Sequence, residues 1–513
     1  MISSRNHSSY PANFLGFVRA KDARLQDADG RDILLRGVGL GNWLLPEGYM
    51  WKFGPGAESP REIEQLVSQL IGDDAALAFW REFRDNFIAE ADIALIAAQG
   101  FNHIRLPINS RIVMTDDGEP IEAGFELIDR VIDWCRKYGL WVLLDLHGAP
   151  GGQTGTNIDD SPNGKPELFM NQKYWKQTVE LWRWLAIRYR SETVVLGYDL
   201  LNEPIPNEWQ HQFADELVHL YKELTSVIRS VDSQHLIVYE GSHWATNWDI
   251  FTEVWDSNSM LQFHKYWSPP DTASIQRFLD MRVRLGLPIY MGEGGENNLE
   301  WLYTAFRLYE THAIGWNFWP WKKIDTLTSP LSVQIPSNWE RIVDSAHGQI
   351  DIQPESAKNI FNELLLNMRV KNCVRRNEVV NAVMAESPKL IPAWGFGFRG
   401  FGESYLVKDP STLPGMRSDD GVTLEYRHEG VHGGNDFGQN DGRNYTAFEE
   451  ILLSLKANEW VEYEVSQETD LGWYEIQVAE GDPSSVTMTR TSRGFVLKAT
   501  EAVKLLRIFS RQP

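Results

Sequence analysis

The chain has 513 residues, 42% hydrophobic and 23% charged, a globular composition that excludes a mainly disordered or fibrous protein. Its 49 basic and 71 acidic residues sum to −22, and so acidic a surface argues against nucleic acid and anionic membranes as main partners. Two cysteines, Cys135 and Cys373, are too few for a disulfide scaffold.

The first segment, MISSRNHSSYPANFLGF, has no apolar run after a basic start. It therefore reads as lacking a secretory leader, and no apolar stretch is long enough to span a membrane. The expected compartment is the cytoplasm. Residues 16–45 open with two strand patterns around Asp29-Gly30, a hairpin turn signal. A helix-rich stretch follows from Glu62 to Gly100. From there an apolar run ending in a polar residue, a loop and a helix recur. The runs are NHIRL (102–106), WVLLDLH (141–147), VLGYDLLNE (195–203), HLIVYEG (235–241), MLQFHKY (260–266), PIYMGE (288–293) and IGWNFW (314–319). With ILLRGV (33–38) they make eight, which predicts an α/β fold: a closed (β/α)8 barrel, with a doubly wound sheet as the alternative. The helix over 356–370 reads as the end of the barrel. After Ile391 the helical period is lost, and EWVEYEV (459–465), GWYEIQV (472–478) and GFVLKAT (494–500) alternate as strands. The expected domains are 1–385, a catalytic barrel with an N-terminal hairpin, and 386–513, a smaller all-β, sandwich-like domain.

Active sites of such barrels lie at the C-terminal ends of the strands. Arg105, His147, Asn202, Glu203, Glu240, His264, Tyr266, Glu293, Trp316 and Trp319 stand there. Strand ends should be apolar unless chemistry requires otherwise. Glu203 on the fourth strand and Glu293 on the seventh can face each other across a cleft. Two carboxyl groups so placed suit glycoside hydrolysis, one as acid/base and one as nucleophile, and a separation of about 5–5.5 Å predicts retention of configuration. His147, His264 and the carboxylates could instead form a divalent metal site, but no HxH pair or HExxH motif is present, so no metal and no cofactor is expected. No phosphate-binding or nicotinamide-type glycine motif occurs, and no GxSxG elbow.

The segments LLRGVGLGNWLL, NHIRLPI, LLDLHGAPGGQTG, DLLNEP, FHKY, IYMGE and GWNFWPW resemble glycoside hydrolase family 5 in order and spacing, over about residues 30–340. The resemblance implies Glu203 as acid/base, Glu293 as nucleophile, Asn202 as partner of the sugar 2-hydroxyl, Arg105 and Tyr266 as hydrogen-bond donors to the nucleophile, His147 and His264 as lining of the −1 subsite, and Trp319 as a sugar platform. LDLHGAPG and GNWLLPE are similar to loops of exo-β-1,3-glucanases, which places Glu47 as a grip on the terminal sugar. Two departures follow. GEGGENN, after the nucleophile, lacks the family's aromatic residue and reads as an opening at Gly294-Gly295, and the loop WPWKKIDTLTSP differs.

Some of Trp43, Trp51, Trp244, Trp248, Trp267 and Trp321 are expected to line subsites. The C-terminal strands resemble those of carbohydrate-binding modules loosely, and GGNDFGQNDGRNY (433–445) reads as a turn with a calcium or sugar role as the alternative. The expectation is a retaining, exo-acting β-glycosidase acting on β-glucan-derived oligosaccharides or β-glycosides. An endo-β-glucanase, a β-mannanase, a furanosidase or a non-catalytic carbohydrate-binding protein are the alternatives. The expected partner is a saccharide substrate, with no nucleic acid and no membrane; the sequence is silent on oligomeric state.

Overall fold

The computed structural model describes residue 12 and residues 14–408, 410–413, 415–428, 437–438 and 441–511. Residues 433–436 and 439–440 of the 433–445 loop thus lie outside the described residues.

Three short strands come first: β1 (Arg19–Lys21), β2 (Arg24–Gln26) and β3 (Asp32–Ile33). The expected turn at Asp29-Gly30 joins β2 to β3, with Gly30 at φ 75° donating its N–H to Asp27. A second turn at Asp22 and Ala23, both left-handed, has Asp22 as a turn residue but no glycine.

The next eight strands are parallel: β4 (Arg36–Gly39), β5 (His103–Asn109), β6 (Trp141–Gly148), β7 (Val195–Asp199), β8 (Leu236–Glu240), β9 (Ser259–His264), β10 (Ile289–Gly295) and β11 (Gly315–Trp319). They close into one barrel, each beside its neighbour in sequence, with β11 returning to β4 through Trp316 opposite Arg36. All eight match the apolar runs of the sequence. Strands β5 to β10 are buried throughout, as expected when side chains fill the inside and helices cover the outside.

Val18 and Leu25, beside the first sheet, cluster with Leu35, Leu143, Leu196, Val238 and Met260, close to where the strands begin. This plugs the N-terminal end of the barrel and leaves the other end for chemistry. Helices Pro60–Ile71, Asp73–Phe87 and Glu90–Ala98 occupy the stretch read as helical. The first is opened by a capping box in which Ser59 and Glu62 satisfy each other's backbone N–H. Among the described residues no helix is long and apolar enough to cross a membrane.

The C-terminal region forms two antiparallel sheets. One contains Leu390–Pro392, Thr423–Tyr426, Ile451–Leu455, Tyr474–Glu480 and Val503–Ser510. The other contains Tyr405–Leu406, Trp460–Glu464, Val486–Arg490 and Gly494–Ala499. Their apolar faces, Leu453 and Leu505 from one and Val461 and Leu497 from the other, share a core with the barrel's outer helices. Helix Leu299–Thr311 shows why. Every residue from Glu300 to Tyr309 is buried, so it cannot have a solvent face. It follows β10 and is covered by the C-terminal sheets, where the Tyr303 hydroxyl donates to the Glu464 carbonyl at 2.9 Å. Nearby, the backbone N–H of Arg417 donates to Asp271 Oδ2 at 2.7 Å.

Candidate active site

Arg105, the third residue of β5, points into the barrel and is fully buried. A buried guanidinium must be surrounded by acceptors, and five are present. Its Nε donates to Asp199 at 2.8 Å, one terminal nitrogen to Glu293 Oε2 at 2.7 Å, and the other to Asn202 Oδ1 at 2.8 Å and Glu240 Oε1 at 2.9 Å, with Asp145 at 3.2 Å. Burial alone would lower its pKa, but Asp145, Asp199, Glu240 and Glu293 outweigh this and raise it. Four carboxylates exceed what one guanidinium neutralises. Burial accordingly pushes Asp199 up and Asp145 to about 8, against the pull of Arg105.

Glu293 and Glu203 meet across this base. Each places a carboxylate oxygen, with a ring nitrogen of His264, within a cluster whose atoms all lie within 4.8 Å of one another. Glu293 accepts from Arg105 and, at 2.6 Å, from the Tyr266 hydroxyl. Burial raises its carboxyl above the usual range, and Glu203 adds to this while His264 and Arg105 pull it back.

Glu203 accepts from His264 Nδ1 at 2.7 Å. Its backbone is left-handed (φ 45°), a conformation that costs a residue with a Cβ about 1–2 kcal/mol. Glu240 holds that backbone, accepting the Glu203 N–H at 2.7 Å. Burial disfavours a charged His264 ring, yet Glu240 and Glu293, with Glu203, raise its pKa well above the ordinary value. The three donor atoms could hold a cation by position.

His147 differs. Burial lowers it to about 4, so it is neutral. Its Nδ1–H goes to Asp145 at 2.7 Å, which leaves Nε2 to accept from Asn202 Nδ2 at 3.3 Å. Its ring stacks on Trp319 at 5.5 Å and 7°. The fold thus brings Arg105, His147, Asn202, Glu203, His264, Tyr266, Glu293 and Trp319 to one mouth. Glu47, from the loop after β4, joins them: its carboxyl is raised first by burial and then by Glu293, Glu296 and Glu203.

Three readings of the loops change. Trp43, Trp51, Trp248 and Trp321 are at most 2% exposed and belong to the core. Trp267 is 63% exposed beside Tyr266 at the rim, and Trp244 is half-buried. Trp316 is buried and gives its indole N–H to Glu310. Gly294 and Gly295 make no opening: a Cβ at Gly294 would lie 2.6 Å from the Lys265 carbonyl, and one at Gly295 2.5 Å from that of Trp319. They are glycines because backbone passes close by.

Asp145, Asp199 and Gln262 around Arg105, and Tyr49, Glu296 and Lys323 around Trp319, escaped the sequence reading. Asp145 and Asp199 carry the signal that exposed the others, a charge inside an apolar strand.

Residues 70–325 match the model of the cellulase family, glycosyl hydrolase family 5. A β-xylosidase of Phanerodontia chrysosporium is 30% identical over 257 residues, 49% of this chain and 52% of that protein. A probable glucan 1,3-β-glucosidase A of Aspergillus niger is 31% identical over 263 residues, 50% of this chain and 61% of that protein. The chain thus spans about half to three-fifths of the length of these curated relatives. A crystal structure of an endogalactoceramidase aligns over 97% of this chain and all of that one, at 16% identity and a TM-score of 0.48. The chain carries a glycosyl hydrolase family 5 domain over residues 70–325.

Proposed function

We propose that the protein is a retaining, exo-acting β-glycosidase that takes a saccharide or glycoside and needs no metal or cofactor. The observation that carries this is the approach of the Glu203 and Glu293 carboxylates, within 4.8 Å. That spacing suits a covalent intermediate and is too small for a water between acid and base.

In the first step Glu293 attacks the anomeric carbon while Glu203 gives its proton to the departing glycosidic oxygen, so the C–O bond breaks as the glycosyl ester forms. In the second, Glu203 takes a proton from water, whose oxygen displaces Glu293 from the sugar. Arg105 and Tyr266 fix the attacking oxygen atoms and favour their ionised state. His264 orients Glu203, and Glu240 holds the strained backbone beneath it. Asn202, itself fixed by Arg105 and His147, stands where it can meet the sugar 2-hydroxyl. The indole of Trp319 offers a flat apolar face to the ring, and Glu47 an acceptor at the pocket end.

The test is a panel of nitrophenyl β-glucoside, β-xyloside, β-mannoside and β-galactofuranoside. Wild type should release nitrophenol from at least one, and Glu293→Gln should lose roughly a thousandfold or more. Glu203→Ala should stall at the glycosyl ester and recover with azide. Near-normal turnover by Glu293→Gln would overturn the assignment. Monosaccharide as the sole early product from a longer oligosaccharide supports exo action; mixed lengths would make the enzyme endo-acting.

A further inference from the structure

The barrel mouth holds a second buried polar group that the two hydrolytic steps leave unused. Glu296, three residues past Glu293, is 4% exposed, and its carboxylate pairs with the ammonium of Lys323, 5% exposed. The Tyr49 hydroxyl links Glu296, at 3.4 Å, to the Trp319 indole N–H, at 3.2 Å. Lys323 also lies 5.3 Å over the Tyr49 ring. Beside them, Glu47 is 3% exposed and its Oε1 has no hydrogen-bond partner; nor has the buried Nδ2 of Asn42, whose Oδ1 accepts the Glu47 N–H. An unpartnered acceptor this deeply buried costs free energy unless a ligand meets it.

We propose that Glu296 and Lys323 are specificity-determining residues: with Tyr49 and Glu47 they form a polar end wall that reads the hydroxyls of a neutral terminal sugar, and the C-terminal domain holds this wall in place. The inference rests on the hydrolase reading above and adds what the sugar must present. Glu296 is paired with Lys323, but the buried Glu47 beside them keeps an oxygen with no hydrogen-bond partner. The wall therefore welcomes hydroxyl donors and repels an anionic substituent such as a uronate.

The hold on the wall is specific. Glu296 is left-handed (φ 48°), and such a residue persists only where its surroundings fix it. The next residue does so. Asn297 Nδ2 donates to the carbonyl of Phe437, in the C-terminal region, at 3.0 Å, while its Oδ1 accepts the N–H of Asn298 at 2.8 Å. Asn298 in turn caps helix Leu299–Thr311 through the Trp301 N–H. Phe437 is 2% exposed and packs edge-on against Trp394 at 5.7 Å. Asn297 is thus a positioning residue that acts through Glu296.

The experiment compares kcat and KM on nitrophenyl β-glucoside, β-xyloside and β-glucuronide for wild type, Glu296→Gln, Asn297→Ala and Tyr303→Phe, with melting curves to show that each variant folds. The glucuronide should be cleaved at least a hundredfold less well than the better neutral glycoside. Glu296→Gln, which keeps the shape and loses the charge, should raise KM roughly tenfold, with kcat less affected, and change the glucoside-to-xyloside ratio. Asn297→Ala should move KM and the ratio in the same direction by a smaller factor. Tyr303→Phe removes a hydrogen bond between the two domains away from the wall and should leave the ratio unchanged.

Constants within twofold of wild type for Glu296→Gln, an equal loss on every glycoside, a readily cleaved glucuronide, or the same ratio shift in Tyr303→Phe would each overturn the proposal. A wild-type chain silent on these and on the wider panel, and indistinguishable from Glu293→Gln, would instead fail the hydrolase reading and remove the wall with it.

Discussion

Single residues at the mouth set how the activity should respond to pH. As the proposed nucleophile, Glu293 must be ionised to attack, so its protonation should turn activity off on the acid side. Burial raises that carboxyl, and Tyr266 opposes the shift by donating to it at 2.6 Å. The Tyr266 hydroxyl keeps its proton, because burial and Glu293 both raise its own pKa. Tyr266→Phe removes a hydrogen bond to a charge, so the pKa of Glu293 should rise further and the acid limb of kcat/KM should move up by about one pH unit. A pH–rate profile checks this, and an unmoved limb would mean that Tyr266 does not govern the ionisation. Residue identity was legible in the sequence wherever a charge interrupts an apolar strand, as at Arg105 and Glu293. It was not legible at Glu296, just past β10, or at Lys323, in the short strand Lys322–Ile324, because both stand in polar stretches of sequence where a charged residue carries no surprise. Only the folded chain shows that these two are buried and paired.

The strands were legible for a different reason. Each is an apolar run of strand length bounded by polar residues, a pattern fixed by burial on both faces. Loops obey no such period. Trp51 falls in a loop like those that line clefts, yet it stacks on Phe83 at 5.3 Å within the core. The same limit applies to the end of β10. Gly294-Gly295 reads as a missing wall, but the space is filled by the backbone of neighbouring strands. Gly295→Ala tests this. A Cβ there meets the Trp319 carbonyl, and φ is 152°. The variant should lose about 1–3 kcal/mol in denaturant unfolding. A variant as stable as wild type would show the space to be open.

Across the whole molecule, the barrel and the C-terminal sheets share buried charge. Glu300, at the start of helix Leu299–Thr311, lies 3.3 Å from Arg507 of the last strand, which also pairs with Glu450. Burial raises Glu300 to about 7 although Arg507 pulls it down. Folding therefore favours the protonated acid. Below the unfolded pKa of about 4.3 both states hold the proton and no penalty exists. As pH rises the penalty grows, and it is complete above the folded pKa of about 7, at on the order of 3 kcal/mol. Wild type should thus lose melting temperature between about pH 5 and pH 8, and Glu300→Gln should flatten that loss; parallel curves would show that this acid does not couple the two parts. Sharing of this kind favours a structural reading of the C-terminal region over a detachable sugar-binding module. The strand alternation announced its sheets, but contacts so distant in sequence leave no local trace.

The left-handed backbone at Glu203 has an effect outside chemistry. Glycine or asparagine would sit there with less strain, so on the proposed reading folding free energy and turnover pull residue 203 in opposite directions. Random mutagenesis screened only for heat resistance would enrich tougher proteins that have lost their acid/base. With Glu203 as the proposed acid/base, any thermostabilised library of this chain has to be scored on substrate.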